Sequence, residues 1–280
     1  MLYKTVESLL QYESLIELIV INDGGEFPLD LPIKAKMINL QTNNGEAHAI
    51  NVAWQLCKTD YFVVISDDDP QPNNWLRPLL KAAEANPRYV VYYPSTFEVV
   101  ENKTQLVQFA HVYDRTKFHT YMRSPCLAGA LINARILKAQ KVENLRIDGL
   151  IYPNDLIQWL NLSMRGDFLA VPEARAFWWV HKYQTSNVLS DLVRAELFFD
   201  NISCWLLENL EEQSLSVAMI VCFFRSVQLL KSKKNRMPWI ARHAITTLKF
   251  LRLRKFSIVK IFISFGRAMT GLVILKVSNV

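Results

Sequence analysis

Apolar runs that fit strands alternate with helical stretches through the first 93 residues. Residues 15–21, 61–66 and 89–93 are continuous apolar segments of strand length, whereas 46–58 and 75–85 have helical apolar spacing. This alternation predicts an α/β fold, with a mostly parallel sheet covered by helices on both faces and a helical, basic C-terminal extension. In such sheets ligands bind beyond the carboxyl ends of the strands.

Three consecutive aspartates, Asp67, Asp68 and Asp69, follow the apolar run 61–66. Neighbouring carboxylates repel one another and are costly to desolvate, so a divalent cation such as Mn²⁺ or Mg²⁺ would stabilise them. A solvated turn is the alternative, because Pro70 and the polar residues after it form turns. Asp23 also follows a strand-like run, and we expect it to share a crevice with the cluster.

The charge is divided unevenly along the chain. All 26 acidic residues lie at or before Glu212, where 19 Lys and Arg leave a net charge of −7, and the last 68 residues carry 13 Lys and Arg and no acid. Basic residues there interleave with Trp239, Phe250 and Phe256. The pattern favours an amphipathic segment on an anionic membrane surface, with a solvated helix face as the alternative. No motif accompanies the charge that would favour nucleic acid.

Two regions are predicted, an α/β domain at 1–186 and a helical, membrane-associated region at 187–280. The apolar runs 215–224 and 256–277 are too short, or too interrupted by charge, to predict membrane spans. The start of the chain lacks a secretory signal pattern, and the four cysteines lack metal-binding spacing. We therefore expect a cytoplasmic protein, peripheral on the inner face of the cell membrane.

The order of these pieces, from residue 2 to about 185, resembles family 2 glycosyltransferases of the GT-A fold. Ile19–Gly25 resembles the family's "I-V-V-D-D-G-S" strand end, and Asn43–Asn51 its "N-x-G-x-A-x-A-x-N" helix start. Tyr61–Leu76 is similar to its strand, DxD and "W-L" segment. The matching order starts at the helix after the family's first strand, which this sequence is expected to lack.

This resemblance implies a donor site and a metal site. Asp69 and Asp67 would hold Mn²⁺ or Mg²⁺ with His181, because Ala174–His181 resembles the "x-x-W-x-H" ending of galactofuranosyl- and rhamnosyltransferase-like members. Asp23 would accept a hydrogen bond from the base of the nucleotide, and a turn aspartate is its alternative role. The implied nucleotide-sugar-binding residues are Asp23, Asn44, Gly45, Asp67 and Asp68, with Asp68 facing away from its neighbours.

Asp155 is the implied catalytic base. Its segment, 152–166, resembles the family's "[ED]-D-x-x-x-x-x-R-x-x-x-x-G" motif, although Asn154 and Asn161 replace an acid and an arginine. An inverting transferase needs one carboxylate to accept the acceptor's proton. Capping of the following helix is the alternative role for Asp155. Trp159 and the Trp178–Trp179 pair could stack on a sugar or belong to the core.

The expected activity is inverting, metal-dependent transfer of a sugar from a nucleotide-sugar donor to a surface glycan or lipid-linked saccharide. The segment that ends at His181 favours UDP-galactofuranose as the donor, then dTDP-rhamnose. The alternative is a catalytically inactive relative that serves as a membrane-bound assembly partner.

Overall fold

The computed structural model describes residues 2–25, 31–100, 103–124, 128–180, 189–230, 236–244 and 247. The chain divides into two compact units: Met1–Arg115 with Ser124–Lys182, and Thr116–Arg123 with Tyr183–Val280. The predicted domain boundary at residue 186 lies outside the described residues.

In the part of the chain that the structure describes, six helices precede residue 165, and two longer helices follow residue 190 ahead of a further helical segment at 236–244. The first eight are α1 (Leu2–Leu9), α2 (Glu46–Leu56), α3 (Leu76–Ala85), α4 (Arg115–Tyr121), α5 (Ala134–Ala139), α6 (Asn154–Ser163), α7 (Asp191–Asn209) and α8 (Glu212–Leu229). A short 3-10 turn, Leu10–Tyr12, continues α1. The first unit therefore holds most of the helices that lie between strands.

The described strands form two sheets. They are β1 (Leu18–Asp23), β2 (Ala35–Leu40), β3 (Tyr61–Val63), β4 (Val91–Val100), β5 (Lys103–Gln108), β6 (Leu131–Asn133) and β7 (Phe168–Trp179). β1 and β2 pair in parallel, and the larger sheet has the order β3-β6-β4-β5, with β7 parallel to β4. β6 runs antiparallel to both β3 and β4, and β5 runs antiparallel to β4.

The larger sheet is mixed, so the described strands do not confirm the predicted dominance of parallel pairing. Only two residues separate β4 from β5 in the sequence, and so short a connection joins antiparallel strands. β6 is a three-residue strand between β3 and β4, too short to produce a recognisable pattern. An apolar run of strand length is equally compatible with either direction of pairing, so the sequence pattern did not resolve the orientation.

The core of the first unit lies between α3 and the larger sheet. Leu76, Leu79 and Ala83 recur on one face of α3 and are buried. Trp75, directly before α3, packs edge-on against Tyr12 with ring centroids 5.9 Å apart. Its indole Nε1 donates to the Gly129 carbonyl oxygen at 2.8 Å. The core thereby fixes the backbone at Gly129, a residue that borders the candidate site described below.

In the second unit, α7 and α8 bury aromatic and aliphatic side chains. Ser190 caps α7 by accepting from the Val193 backbone N–H, and Phe198, Ile202 and Trp205 are buried. Arg225 on α8 donates to the carbonyl oxygens of Tyr121 and Met122. Across the helices whose residues the structure describes, none combines the length and the apolar character needed to cross a bilayer. Most of the basic C-terminal stretch lies outside the described residues.

Candidate active site

A cavity of about 80 Å³ lies in the first unit, beyond the end of β3. The start of α2, the segment that follows β3, residues 128–130 and the first turns of α6 form its walls. Its charged and amide-bearing lining includes Glu46, Asp69, Gln71, Arg146, Asp155 and Gln158. The predicted metal ligand Asp69 and the predicted base Asp155 therefore border the same space.

Asp69 is held in place by the end of β7. Its side chain is buried, and Oδ1 accepts the backbone N–H of Trp179 at 2.9 Å. Gln71 joins the same two segments, because its Nε2 donates to the carbonyl oxygens of Asp69 and Phe177 and its Oε1 accepts from Phe177 N. No pattern in the sequence predicts this role for Gln71.

Asp67 and Asp68 are placed differently from Asp69. The strand predicted at 61–66 ends at Val63. After it the chain turns, and Asp69 N closes the turn by donating to the Ser66 carbonyl oxygen. Asp67 is exposed, its carbonyl oxygen accepts from Thr5 Oγ1 of α1, and Asp68 is half-buried. Only Asp69 of the three lines the cavity.

Asp23 is joined to the predicted donor-binding residues at the start of α2. Its Oδ1 accepts from Asn44 N at 2.9 Å and its Oδ2 from Gly45 N at 2.8 Å. Gly45 has a φ of +89°, in the region that favours glycine. Glu46, the next residue, lines the cavity. Asp23, Asn44 and Gly45 thus form one group beside the first turn of α2.

Asp155 lies in the first turn of α6, with an exposed side chain that borders the cavity. Its Oδ1 accepts from the backbone N–H of Leu156 at 2.8 Å. No other described residue forms a hydrogen bond or ion pair with its carboxylate, which leaves Oδ2 able to accept a proton from a bound molecule. Trp159, one helical turn later, also borders the cavity, whereas Trp178 and Trp179 do not.

Arg146 is a cavity residue that sequence reasoning missed. Its side chain is 9% exposed, and Nη1 lies 2.9 Å from Oε2 of Glu46, whose side chain is 64% exposed. Its Nε donates to Gln158 Oε1 at 2.6 Å. An arginine in an irregular segment carries no sequence pattern, so only the fold reveals this contact.

Asn51 holds the segment that carries Arg146 against α2. It is 2% exposed, and its Oδ1 accepts from Leu145 N and Arg146 N, both at 3.0 Å. Its Nδ2 donates to Arg146 O at 2.9 Å and to Asp148 Oδ1 at 2.8 Å. The last residue of the motif at 43–51 is therefore a structural clamp on the wall of the cavity.

The oxygen chemistry of the cavity is compatible with a hard divalent cation. Among the residues with described positions, no three His, Cys, Asp or Glu side chains form a metal-binding group. Mg²⁺, however, is commonly held by one or two carboxylates together with substrate phosphates, and Asp69 supplies a buried carboxylate at this cavity. His181, the predicted third ligand, lies outside the described residues.

Comparisons with known proteins bear on the family and on the fold. Residues 1–130 match the family model described as glycosyl transferase family 2. Residues 1–130 are therefore similar to family 2 glycosyltransferases. Comparison of the sequence with curated proteins gives no significant match.

Solved structures show the same fold. The crystal structure of S. aureus TarS 1-349 in complex with UDP-GlcNAc superposes with a TM-score of 0.62 at 14% identity, covering 86% of this chain and 76% of that one. The complex of the same protein with UDP gives 0.60 at 14% identity, covering 85% and 73%. At this identity the likeness to the solved structures establishes the GT-A fold alone. The family match supports the assignment of the protein as a glycosyltransferase enzyme.

Proposed function

We propose that this glycosyltransferase transfers a sugar from a nucleotide-sugar donor with inversion, assisted by a divalent cation. One observation carries the proposal: Asp69 and Asp155, from distant parts of the chain, border one cavity. Of the proposed donor-binding residues, Asn44 and Gly45 directly precede Glu46 in the wall, and Asp23 accepts hydrogen bonds from both of their backbone N–H groups. A phosphate-linked donor and a hydroxyl acceptor would then meet between the two carboxylates.

In this mechanism Asp155 takes the proton of the acceptor hydroxyl. The acceptor oxygen forms a bond to the anomeric carbon while the bond from that carbon to the diphosphate oxygen breaks, and the electron pair leaves with the diphosphate. Oδ1 of Asp155 is oriented by Leu156 N, so Oδ2 is the oxygen that faces the acceptor. Attack from the side opposite the leaving group inverts the configuration.

Asp69 would provide the protein ligand of the cation, with Asp67 and His181 as the further proposed ligands. A bound Mn²⁺ or Mg²⁺ supplies positive charge where the departing diphosphate accumulates negative charge. The chain contributes the position of the carboxylate, because Trp179 N and Gln71 fix Asp69 to the end of β7. Asp68 is proposed to contribute to donor binding from the same loop.

The donor is proposed to be a UDP-sugar. The structures of TarS with UDP-GlcNAc and UDP support a uridine nucleotide, since the two proteins share a fold. The sequence around His181 favours UDP-galactofuranose, with dTDP-rhamnose next. The proposed acceptor is a surface glycan or a lipid-linked saccharide.

The catalytic region is proposed to span 1–186, and the helical region 187–280 is proposed to bind the inner face of a membrane. The support is the concentration of 13 Lys and Arg without any acid after Glu212. Sedimentation with vesicles tests this location. Binding to vesicles that contain phosphatidylglycerol, but not to neutral phosphatidylcholine vesicles, is the expected result, and equal binding or none would contradict it.

Calorimetric titration with UDP and dTDP, with and without Mn²⁺, tests the donor site. Asp69→Asn should remove the Mn²⁺-dependent part of binding, whereas Asp60→Asn, which changes an exposed carboxylate paired with Arg135, should not. Asp155→Asn should bind UDP normally but lower the rate at which the donor is hydrolysed by about 10²- to 10⁴-fold. Normal turnover in Asp155→Asn would exclude it as the base.

A further inference from the structure

The guanidinium of Arg146 is a buried charge with an incomplete set of partners. Nε is used by Gln158 and Nη1 by Glu46, and no described residue accepts from Nη2. Burying a charge is costly unless it is paired. Glu46 is a weak compensator because its side chain is 64% exposed and therefore hydrated. An anion in the cavity would complete the coordination of Arg146.

Gln158 presents a second donor in the same wall. It is 2% exposed, and its Oε1 must face Arg146 because an arginine Nε can only donate. Its Nε2 group is therefore turned away from the guanidinium, and no described residue accepts from it. Gln158 follows Asp155 by three residues on α6, so the two side chains share one face of the helix.

Building on the proposed transfer from a nucleotide-sugar, we propose that Arg146, oriented by Gln158, binds the donor diphosphate and that Glu46 holds the guanidinium until the donor arrives. A planar guanidinium donates paired N–H groups to phosphate oxygens. The diphosphate is the favoured anion because Glu46 directly follows Asn44 and Gly45, and because Asp69 lines the same cavity. Positive charge at this point also stabilises the leaving group.

The test is calorimetric titration of the full chain with UDP and with UMP in the presence of Mn²⁺. Arg146→Gln should bind UDP about 10- to 100-fold more weakly, since hydrogen bonds to charged groups are lost. It should bind UMP, which lacks the second phosphate, as the wild type does. Arg135→Gln, which removes an exposed guanidinium outside the cavity, is the matched control and should change neither affinity.

Glu46→Gln should change the affinity for UDP in the opposite direction. Because Glu46 is exposed, this substitution should not impair folding. Weakening the competing carboxylate should tighten UDP binding by up to about fivefold, because an exposed ion pair is worth little. If Arg146→Gln fails to fold, this variant decides the question.

The inference is overturned if Arg146→Gln binds UDP like the wild type, if it weakens UMP and UDP equally, or if Glu46→Gln binds UDP more weakly. These outcomes leave the proposed function intact as long as the wild type binds UMP and UDP. Failure of the wild type to bind either nucleotide would instead overturn the proposed function, and the role of Arg146 with it.

Discussion

Replacing Asn51 should destabilise the segment 145–148 in the wall of the candidate site, although Asn51 is not itself proposed to contact substrate. Asn51 makes four hydrogen bonds to the segment 145–148, two as acceptor and two as donor. Asn51→Ala removes all four and leaves the N–H groups of Leu145 and Arg146 without their acceptor. A buried polar group without its partner costs about 1–3 kcal/mol, and water can reach part of this segment, so we expect a loss of about 2–4 kcal/mol.

Thermal unfolding followed by circular dichroism measures this loss. For a chain of this size each kcal/mol lowers the midpoint by roughly 2–4 °C, so the expected decrease is about 4–16 °C. Asn86→Ala is the control, because the side chain of this exposed asparagine makes only a 3.4 Å hydrogen bond, to the Ala82 carbonyl oxygen. A midpoint for Asn51→Ala equal to that of the control would refute the clamp.

Asn51→Asp keeps the size and shape of the side chain but replaces the hydrogen-bond donor of the clamp with an acceptor. The introduced carboxylate can still accept from Leu145 N and Arg146 N, but its second oxygen would meet Arg146 O and the Asp148 carboxylate, both acceptors. Its pKa in the folded protein should therefore be raised, and folding should favour the protonated form. The destabilisation should be present at neutral pH and decrease as the pH falls through that raised pKa. A penalty independent of pH would contradict the assigned contacts.

Two further changes test the packing around the site and the buried tyrosines. Gly129→Ala should destabilise the protein by about 1–3 kcal/mol in thermal unfolding, because φ is +66° and the new Cβ would lie 2.7 Å from Trp75 Nε1. Gly149→Ala is the control and should cost less, because φ there is +76° but the new Cβ would meet open space. Equal losses of stability in the two variants would contradict crowding at Gly129. Burial raises the pKa of Tyr92 and Tyr113 to about 12, so the stability that they contribute is complete below pH 10 and is lost between about pH 10 and 12. Absorbance titration should show a step near pH 12, and Tyr113→Phe should remove part of it; an unchanged step would contradict the burial of Tyr113.

The sequence predicted the part of the site that depends on strand ends. Asp23 and the three consecutive aspartates follow apolar runs and could be located from local pattern, whereas Asp155 is indicated only by the resemblance of its segment to a family motif. The helices observed at 46–56 and 76–85 lie close to the predicted ranges, because apolar spacing and short polar breaks are local signals.

The remaining features depend on contacts between distant residues. Asn51 meets Leu145 and Arg146 only after α2 packs beside the later segment, and Gln71 meets Phe177 only when β7 joins β4. The separate environments of the three consecutive aspartates have the same origin. The tight turn after β3 buries Asp69 against Trp179 N and leaves Asp67 in solvent, an outcome that the residue types alone cannot distinguish.

The charges in the cavity wall explain why both a cation and Arg146 are assigned to the donor. Glu46, Asp69 and Asp155 place three carboxylates around about 80 Å³, and Arg146 is the one cation among the described lining residues. A diphosphate that entered this space would meet a negative wall, and the repulsion grows as water is expelled and the local dielectric constant falls. A divalent ion at Asp69 would reverse the sign on one side, and Arg146 released from Glu46 would supply positive charge on the other. Because the proposed base Asp155 has to stay ionised beside an anionic leaving group, the proposal requires the two positive charges together rather than as substitutes.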